Sequence, residues 1–162
     1  MKSIVLGGGC FWCIEAIYQQ VKGVDSVVSG YAGGTLDSPT YDNHGNHAEV
    51  VQIQYDENLI TIDTLLEMFF YVHNPTTLNR QGNDVGTQYR SIILCDKSEV
   101  ELAETAKQQA TELWDDPIVT EIQILDKYYK AEDYHQDYFN QNQNSGYCQV
   151  VINPKLAKFQ AK

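Results

Sequence analysis

Positive charge is scarce in this chain: 11 Lys and Arg stand against 22 Asp and Glu among 162 residues, a formal net charge of −11. Such a surface repels phosphate backbones and anionic headgroups, and no basic run breaks the pattern, so nucleic acid and membranes are not expected partners. Long apolar runs are missing too. Nothing approaches the length of a membrane span, and the N-terminal stretch MKSIVLGGGCFWC has no signal-peptide apolar core with a cleavage site. Cytoplasmic residence is the expectation that follows. Cysteine is sparse, with four residues: Cys10, Cys13, Cys95 and Cys148. In a reducing compartment such thiols point to catalysis, metal binding or inert packing rather than to a disulfide framework. No internal repeat, low-complexity tract or linker is visible, so residues 1–162 are read as one domain.

What is present is a core-forming composition, 43% hydrophobic and 20% charged, with eleven tyrosines. A buried tyrosine hydroxyl needs a partner, so several of these rings are expected to line a pocket. Strands are expected at 3–6, 24–31, 48–55, 91–95 and 118–125, where apolar runs or alternation lie between turn residues. Helical spacing starts at Cys10 and runs towards Gly23, recurs over 61–73 before Asn74-Pro75, and covers 98–114 behind a Ser98/Glu101 capping box. Residues 76–89 are polar and aperiodic, a length at which loops tend to be functional. The tyrosine-rich stretch 127–140 reads as partly helical, and 149–152 as a short extended tail. The order is β-α-β-β-α-β with additions, an α+β domain of two layers with a mixed or antiparallel sheet and helices on one face.

The chemistry concentrates at Gly7-Gly8-Gly9-Cys10. Three glycines let the chain turn sharply, and a cysteine at the first turn of a helix meets unpaired N–H groups and the positive end of the dipole. Both favour thiolate over thiol, which makes a reactive cysteine without a neighbouring base. A dinucleotide-binding turn does not fit, because Trp12 stands where the third glycine is required. Cys10 and Cys13 form a C-x-x-C on one helix face, as in thiol–disulfide oxidoreductases, and with His44 and His47 they make a conceivable zinc set. A cysteine hydrolase needs a histidine poised near Cys10, and the sequence points to none.

Seven segments then fall into a recognisable order. They are Gly9-Cys10-Phe11-Trp12, Gly30-Tyr31-Ala32-Gly33-Gly34, Pro39-Thr40-Tyr41, His47-Ala48-Glu49, the run QGNDVGTQYR at 81–90, Tyr128-Tyr129-Lys130-Ala131-Glu132-Asp133, and Gly146-Tyr147-Cys148. Together they cover nearly the whole chain and resemble the A-type peptide-methionine sulfoxide reductases. The resemblance implies a ferredoxin-like α/β plait with extra elements. It also implies reduction of methionine S-sulfoxide, free or in oxidised proteins and peptides, with thioredoxin as reductant and no cofactor or metal. By the same resemblance Cys10 is the nucleophile, Phe11 and Trp12 hold the substrate methyl group, Glu49, Tyr41 and Tyr89 address the sulfoxide oxygen, and Asp84 supports the site.

That assignment suits the chemistry. A sulfoxide sulfur is electrophilic, but its oxygen leaves poorly unless protonated or strongly hydrogen-bonded, so a thiolate and an acid are both needed. Burial and a nearby thiolate would keep a proton on Glu49. Tyr41 and Tyr89 are neutral O–H donors, and the rings of Phe11 and Trp12 offer a wall for methyl and sulfur. Attack leaves a sulfenic acid that a second thiol must resolve. Cys148 matches the C-terminal resolving position of many family members, while Cys13 is nearer and on the same helix face; the choice stays open between them. Cys95, in an apolar strand, reads as inert, and His47 and His135 as hydrogen-bonding residues of the fold.

Overall fold

The computed structural model describes residues 2–142. Its elements are β1 (Lys2–Gly7), α1 (Phe11–Tyr18), β2 (Val24–Ala32), β3 (Ala48–Tyr55), α2 (Ile62–Val72), β4 (Arg80–Gln81), β5 (Asp84–Val85), β6 (Ile92–Cys95), α3 (Val100–Ala110), β7 (Glu121–Ile124), β8 (Tyr128–Lys130) and α4 (Tyr138–Gln141). Six strands form one sheet in the order β7-β6-β1-β3-β2-β8, and β4 and β5 form a separate two-residue hairpin. At its centre β1 and β2 both run antiparallel to β3, and β6 runs antiparallel to β1. Helix α1 links β1 to β2, and α2 leads from β3 towards β6. β7 adds to one edge parallel to β6, and β8 to the other antiparallel to β2, so the sheet is mixed.

Strand alternation divides the core. Ile4, Leu6, Val51, Ile53, Ile93 and Cys95 point to one face, where they meet Ile14 and Ile17 of α1, Leu65, Leu66, Phe69 and Phe70 of α2, and Ala103 of α3. Their neighbours Val5, Val50, Ile92 and Leu94 point to the other, joined by Ala32, Ala48, Leu125 and Tyr128. The helices therefore pack on one face. An isolated helix of eight residues is not stable in water, and α1 persists because seven of its eight residues are buried.

Several boundaries move for identifiable reasons. α1 ends at Tyr18, well short of Gly23, and the chain passes through turns to Gly23 at φ +99°. The capping box lies at Asp96 and Glu99, two residues before the expected Ser98 and Glu101. Asp96 has the extended backbone a cap needs and accepts from Ser98 N–H, and the box encloses a short 3-10 turn, Lys97–Glu99, that runs directly into α3. α3 stops at Ala110 rather than Trp114. Residues 127–140 are partly helical, as read, through a 3-10 turn and the short α4, but they also hold a strand that was not expected: Tyr128–Lys130 pairs with β2. The tail 149–152 and the block 146–148 lie outside the described residues. Among the described residues no helix is long and apolar enough to cross a membrane.

Candidate active site

The site begins where β1 ends. Gly9 sits at φ +99°, and a Cβ there would lie 2.7 Å from the Gln81 side chain; one on Gly8 would lie 2.8 Å from the His73 ring. These glycines let the turn pass between two packed side chains, which any larger residue would obstruct. Cys10 follows with extended backbone (φ −63°, ψ 131°) as the N-cap of α1, its carbonyl accepting from Cys13 N–H at 3.1 Å. The thiol therefore stands at the positive end of the helix, 5% exposed.

Beneath it lies Glu49. The two-residue repeat of β3 puts Glu49 on the face of Val51 and Ile53, directly opposite Tyr31 of β2 and under the start of α1. It is 2% exposed. One oxygen accepts from Phe11 N–H at 3.2 Å, an otherwise unpaired donor of the first helical turn, and the carboxyl is hydrogen-bonded to the Cys10 side chain. Burial pushes its pKa up to about 7; the Phe11 bond opposes the shift, the charge of Asp84 adds to it and the Cys10 contact opposes it. A group that sheds a proton this close to neutrality is suited to general-acid work.

Tyr41 and Tyr89 complete the polar side. Burial first, then the charges of Glu49 and Cys10, hold Tyr89 up at about 12 and push Tyr41 higher still, so both stay protonated O–H donors. Tyr41 belongs to the turn-rich loop 33–47, and its backbone N–H donates to Glu132 at 3.0 Å. Tyr89 ends a 3-10 turn, followed by Arg90, which donates to the carbonyls of Thr87 and Gly33. Asp84 pairs with Gln81 across the β4–β5 hairpin. Gln81 is itself clamped to the backbone of Asn74, accepting and donating at 2.9 Å, while it packs on Gly9. The aperiodic stretch thus carries Asp84 and Tyr89 to the thiol.

Aromatic rings form the remaining wall. Phe11 is fully buried, 5.7 Å from Tyr31 and 6.4 Å from Tyr41 between ring centroids. Trp12 is partly exposed and stacks on Tyr138 at 3.9 Å and 10°. Its indole N–H donates to His135 Nδ1 at 3.1 Å, which fixes His135 as the neutral tautomer with the proton on Nε2. Burial lowers the His135 pKa, in keeping with that neutral form, and the nearby charge of Glu132 opposes the shift. His135 is 1% exposed, and its Nε2 is a buried polar atom with no partner among the described residues.

All seven residues carried by the resemblance, Cys10, Phe11, Trp12, Tyr41, Glu49, Asp84 and Tyr89, converge here. Sequence reasoning missed His135 as a residue of the pocket, together with Tyr138 and Glu132. The density of tyrosine over 127–140 was the signal available, but its spacing fits no regular element. Cys13 is buried in the same core as Cys10, and Cys148 lies outside the described residues. Cys95 is buried in β6, where burial first and then Glu99 and Asp96 push its thiol up to about 11, so it is inert. His47 is engaged by the loop before β3: one ring nitrogen accepts from Gly34 N–H and the other bonds the Leu36 carbonyl. Among the described residues no group of three or more His, Cys, Asp or Glu is placed to hold a metal ion.

The whole chain is also similar to known proteins. The profile of the family described as peptide methionine sulfoxide reductase matches residues 2–162. The peptide methionine sulfoxide reductase MsrA of Polynucleobacter asymbioticus is 52% identical over 171 aligned positions, covering 100% of this chain and 89% of that protein. The crystal structure of reduced Mxr1 from Saccharomyces cerevisiae superposes with a TM-score of 0.85 at 34% identity, covering 91% of this chain and 88% of that one. Mxr1 in complex with Trx2 superposes with a TM-score of 0.63 at 27% identity, covering 85% and 84%. A glycine turn setting a thiol at the N-cap position of a helix beside a buried, proton-holding carboxyl, and a match running the length of the sequence, lead to one conclusion: this chain belongs to the peptide methionine sulfoxide reductase family.

Proposed function

We propose that this protein reduces the S epimer of methionine sulfoxide, free or within oxidised proteins, and that Cys10 attacks the sulfoxide sulfur. One observation carries the reading: Glu49, with a pKa near 7, is hydrogen-bonded to the thiol it would serve. Phe11 and Trp12 seat the methyl group against their rings, while Tyr41 and Tyr89 donate to the sulfoxide oxygen and orient it towards Glu49. As the Cys10 sulfur bonds to the substrate sulfur, Glu49 gives its proton to the oxygen, and Asp84 favours the protonated carboxyl before attack. The oxygen ends on Cys10 as a sulfenic acid and the thioether leaves as methionine, so Cys10 is oxidised as the sulfoxide is reduced.

A second thiol, Cys13 or Cys148, then displaces water from the sulfenic acid to form a disulfide, which a thioredoxin-type dithiol reduces. The complex between Mxr1 and Trx2 supports such a reductant. This chemistry suits repair of oxidised proteins in a reducing compartment such as the cytoplasm. The central strand order β6-β1-β3-β2, built on β-α-β-β-α-β connectivity, supports reading the core as a ferredoxin-like plait with β7 and β8 appended.

The test is to mix reduced protein with each separated epimer, without added reductant, and count methionine per enzyme. Turnover of the S epimer alone, lost in Cys10→Ser, is the expected result; no methionine from either epimer overturns the reading.

A further inference from the structure

Glu15 is a carboxylate in the middle of α1, 1% exposed, that takes no part in the chemistry above. Burying a carboxylate is costly unless donors surround it, and here they come from two other parts of the fold. One oxygen accepts from the Ser29 hydroxyl of β2 at 3.2 Å; the other accepts from the backbone N–H of Tyr138 at 3.2 Å, and Asp137 N–H also bonds the carboxyl. These two N–H groups open α4. Its own N-cap, Asp137, lies in the left-handed region at φ 55° and supplies no side-chain cap. The missing cap is provided by Glu15 from a different helix.

The geometry links this cap to the substrate wall. Trp12 and Glu15 are three residues apart on α1 and share a face, and Gln19, four further on, donates to Asp137 at 3.1 Å. Fixing the backbone of Tyr138 on Glu15 sets its ring on the back of Trp12 at 3.9 Å and 10°. From the other side, Gln136 bonds both the N–H and the carbonyl of Ser29 at 2.9 Å, which holds the approach to α4 on β2.

We infer that Glu15 is a positioning residue for the sulfoxide pocket: it holds α4 so that Tyr138 backs Trp12, and so sets substrate affinity without touching substrate. The inference rests on the proposed activity for its kinetic readout. The experiment compares Glu15→Leu, which removes the acceptors at similar volume, with Glu15→Gln, which keeps an oxygen for Tyr138 N–H and an amide for Ser29. Tyr138→Leu cuts the same link at its other end, and the double variant Glu15→Leu/Tyr138→Leu closes the cycle.

With dithiothreitol as reductant, KM for the S-sulfoxide is expected to rise about tenfold in Glu15→Leu and in Tyr138→Leu, the scale of one lost aromatic contact, with no further rise in the double variant. The single-turnover rate at saturating substrate stays within about threefold of wild type, and Glu15→Gln restores KM. In a Trp114→Phe background only Trp12 emits, and Glu15→Leu is expected to shift its emission to the red and make it easier to quench with acrylamide.

An unchanged KM in Glu15→Leu, a loss in single-turnover rate alone, or additive rises in the double variant overturns the positioning role. Should Glu15→Leu fail to fold, Glu15→Gln and Tyr138→Leu still decide it: KM must be retained in the first and raised in the second. If wild type reduces neither epimer, the proposed activity fails, and the Trp12 emission arm alone judges the hold of Glu15 on the indole.

Discussion

Replacing Glu49 by glutamine removes the ionisable proton while keeping a carbonyl oxygen where Phe11 N–H points. In the fold the Glu49 carboxyl titrates at about 7, against an ordinary value near 4.5. The folded state therefore holds the proton more tightly than the unfolded chain. A group of this kind contributes its stability below the unfolded value and loses it as pH rises through the folded one, here between about 4.5 and 7. Between pH 5.5 and 8.5 that loss amounts to about 2 kcal/mol in wild type and is absent in the variant. Urea denaturation of both proteins at pH 5.5, 7 and 8.5 measures it, and comparing the pair cancels the self-repulsion that an acidic chain suffers as pH rises. Glu49→Gln is expected to gain on wild type by about 2 kcal/mol across this range while losing sulfoxide reduction. A stability difference that stays constant with pH would refute the claim that Glu49 holds a proton at neutrality, and the general-acid role with it.

Other expectations bear on the same site. The single-turnover rate of methionine formation should fall with an alkaline limb near pH 7, as Glu49 loses its proton; Tyr41 and Tyr89 titrate far above this range and should not move the limb. Tyr41→Phe and Tyr89→Phe should each slow that step by about 100-fold with little change in folding, as measured by rapid quench and thermal melting. Gly9→Ala should destabilise the fold by about 1–3 kcal/mol in urea titration, because alanine is strained at φ +99° and its Cβ meets Gln81. After one turnover without reductant, titration of remaining thiols should show a disulfide in wild type that is missing from either Cys13→Ser or Cys148→Ser.

Central elements were legible because their signals are local. β3 was read at its observed bounds, Ala48–Tyr55, since alternation and flanking turns fix both ends. α2 was off by one residue at each end because Thr61 caps it and His73 ends it. The place of Cys10 at the head of α1 was legible from three glycines and a helix start. Burial of Glu49 was legible only through the family resemblance: a carboxylate opening a strand looks ordinary until the register sets it opposite Tyr31 and under α1. Residues 127–140 were legible only as partly helical, and the strand β8 within them was not, for a different reason. Their side chains serve partners about a hundred residues away, Glu132 for Tyr31 and Tyr41, His135 for Trp12 and Gln136 for Ser29, so no local period was there to be found. Likewise β7 joins the sheet in parallel through a crossover by α3, a pairing that no short-range pattern announces.

That long reach of residues 132–138 has a consequence for biosynthesis. A ribosome delivers the glycine turn, Cys10 and three of the four inner strands, β1, β2 and β3, before the rest, and these have partners enough to begin pairing while the remainder is still being made. The backing of Trp12 and the anchor of Tyr41 emerge later, after every strand of the described sheet. A nascent or prematurely terminated chain therefore carries the thiol with Trp12 unbacked and the Tyr41 loop unanchored. The wall is complete only when the last described turn docks on α1, so a proteolytic cut before residue 132 should leave a protein that keeps Cys10 and Glu49 but, on the proposed activity, binds the sulfoxide more weakly.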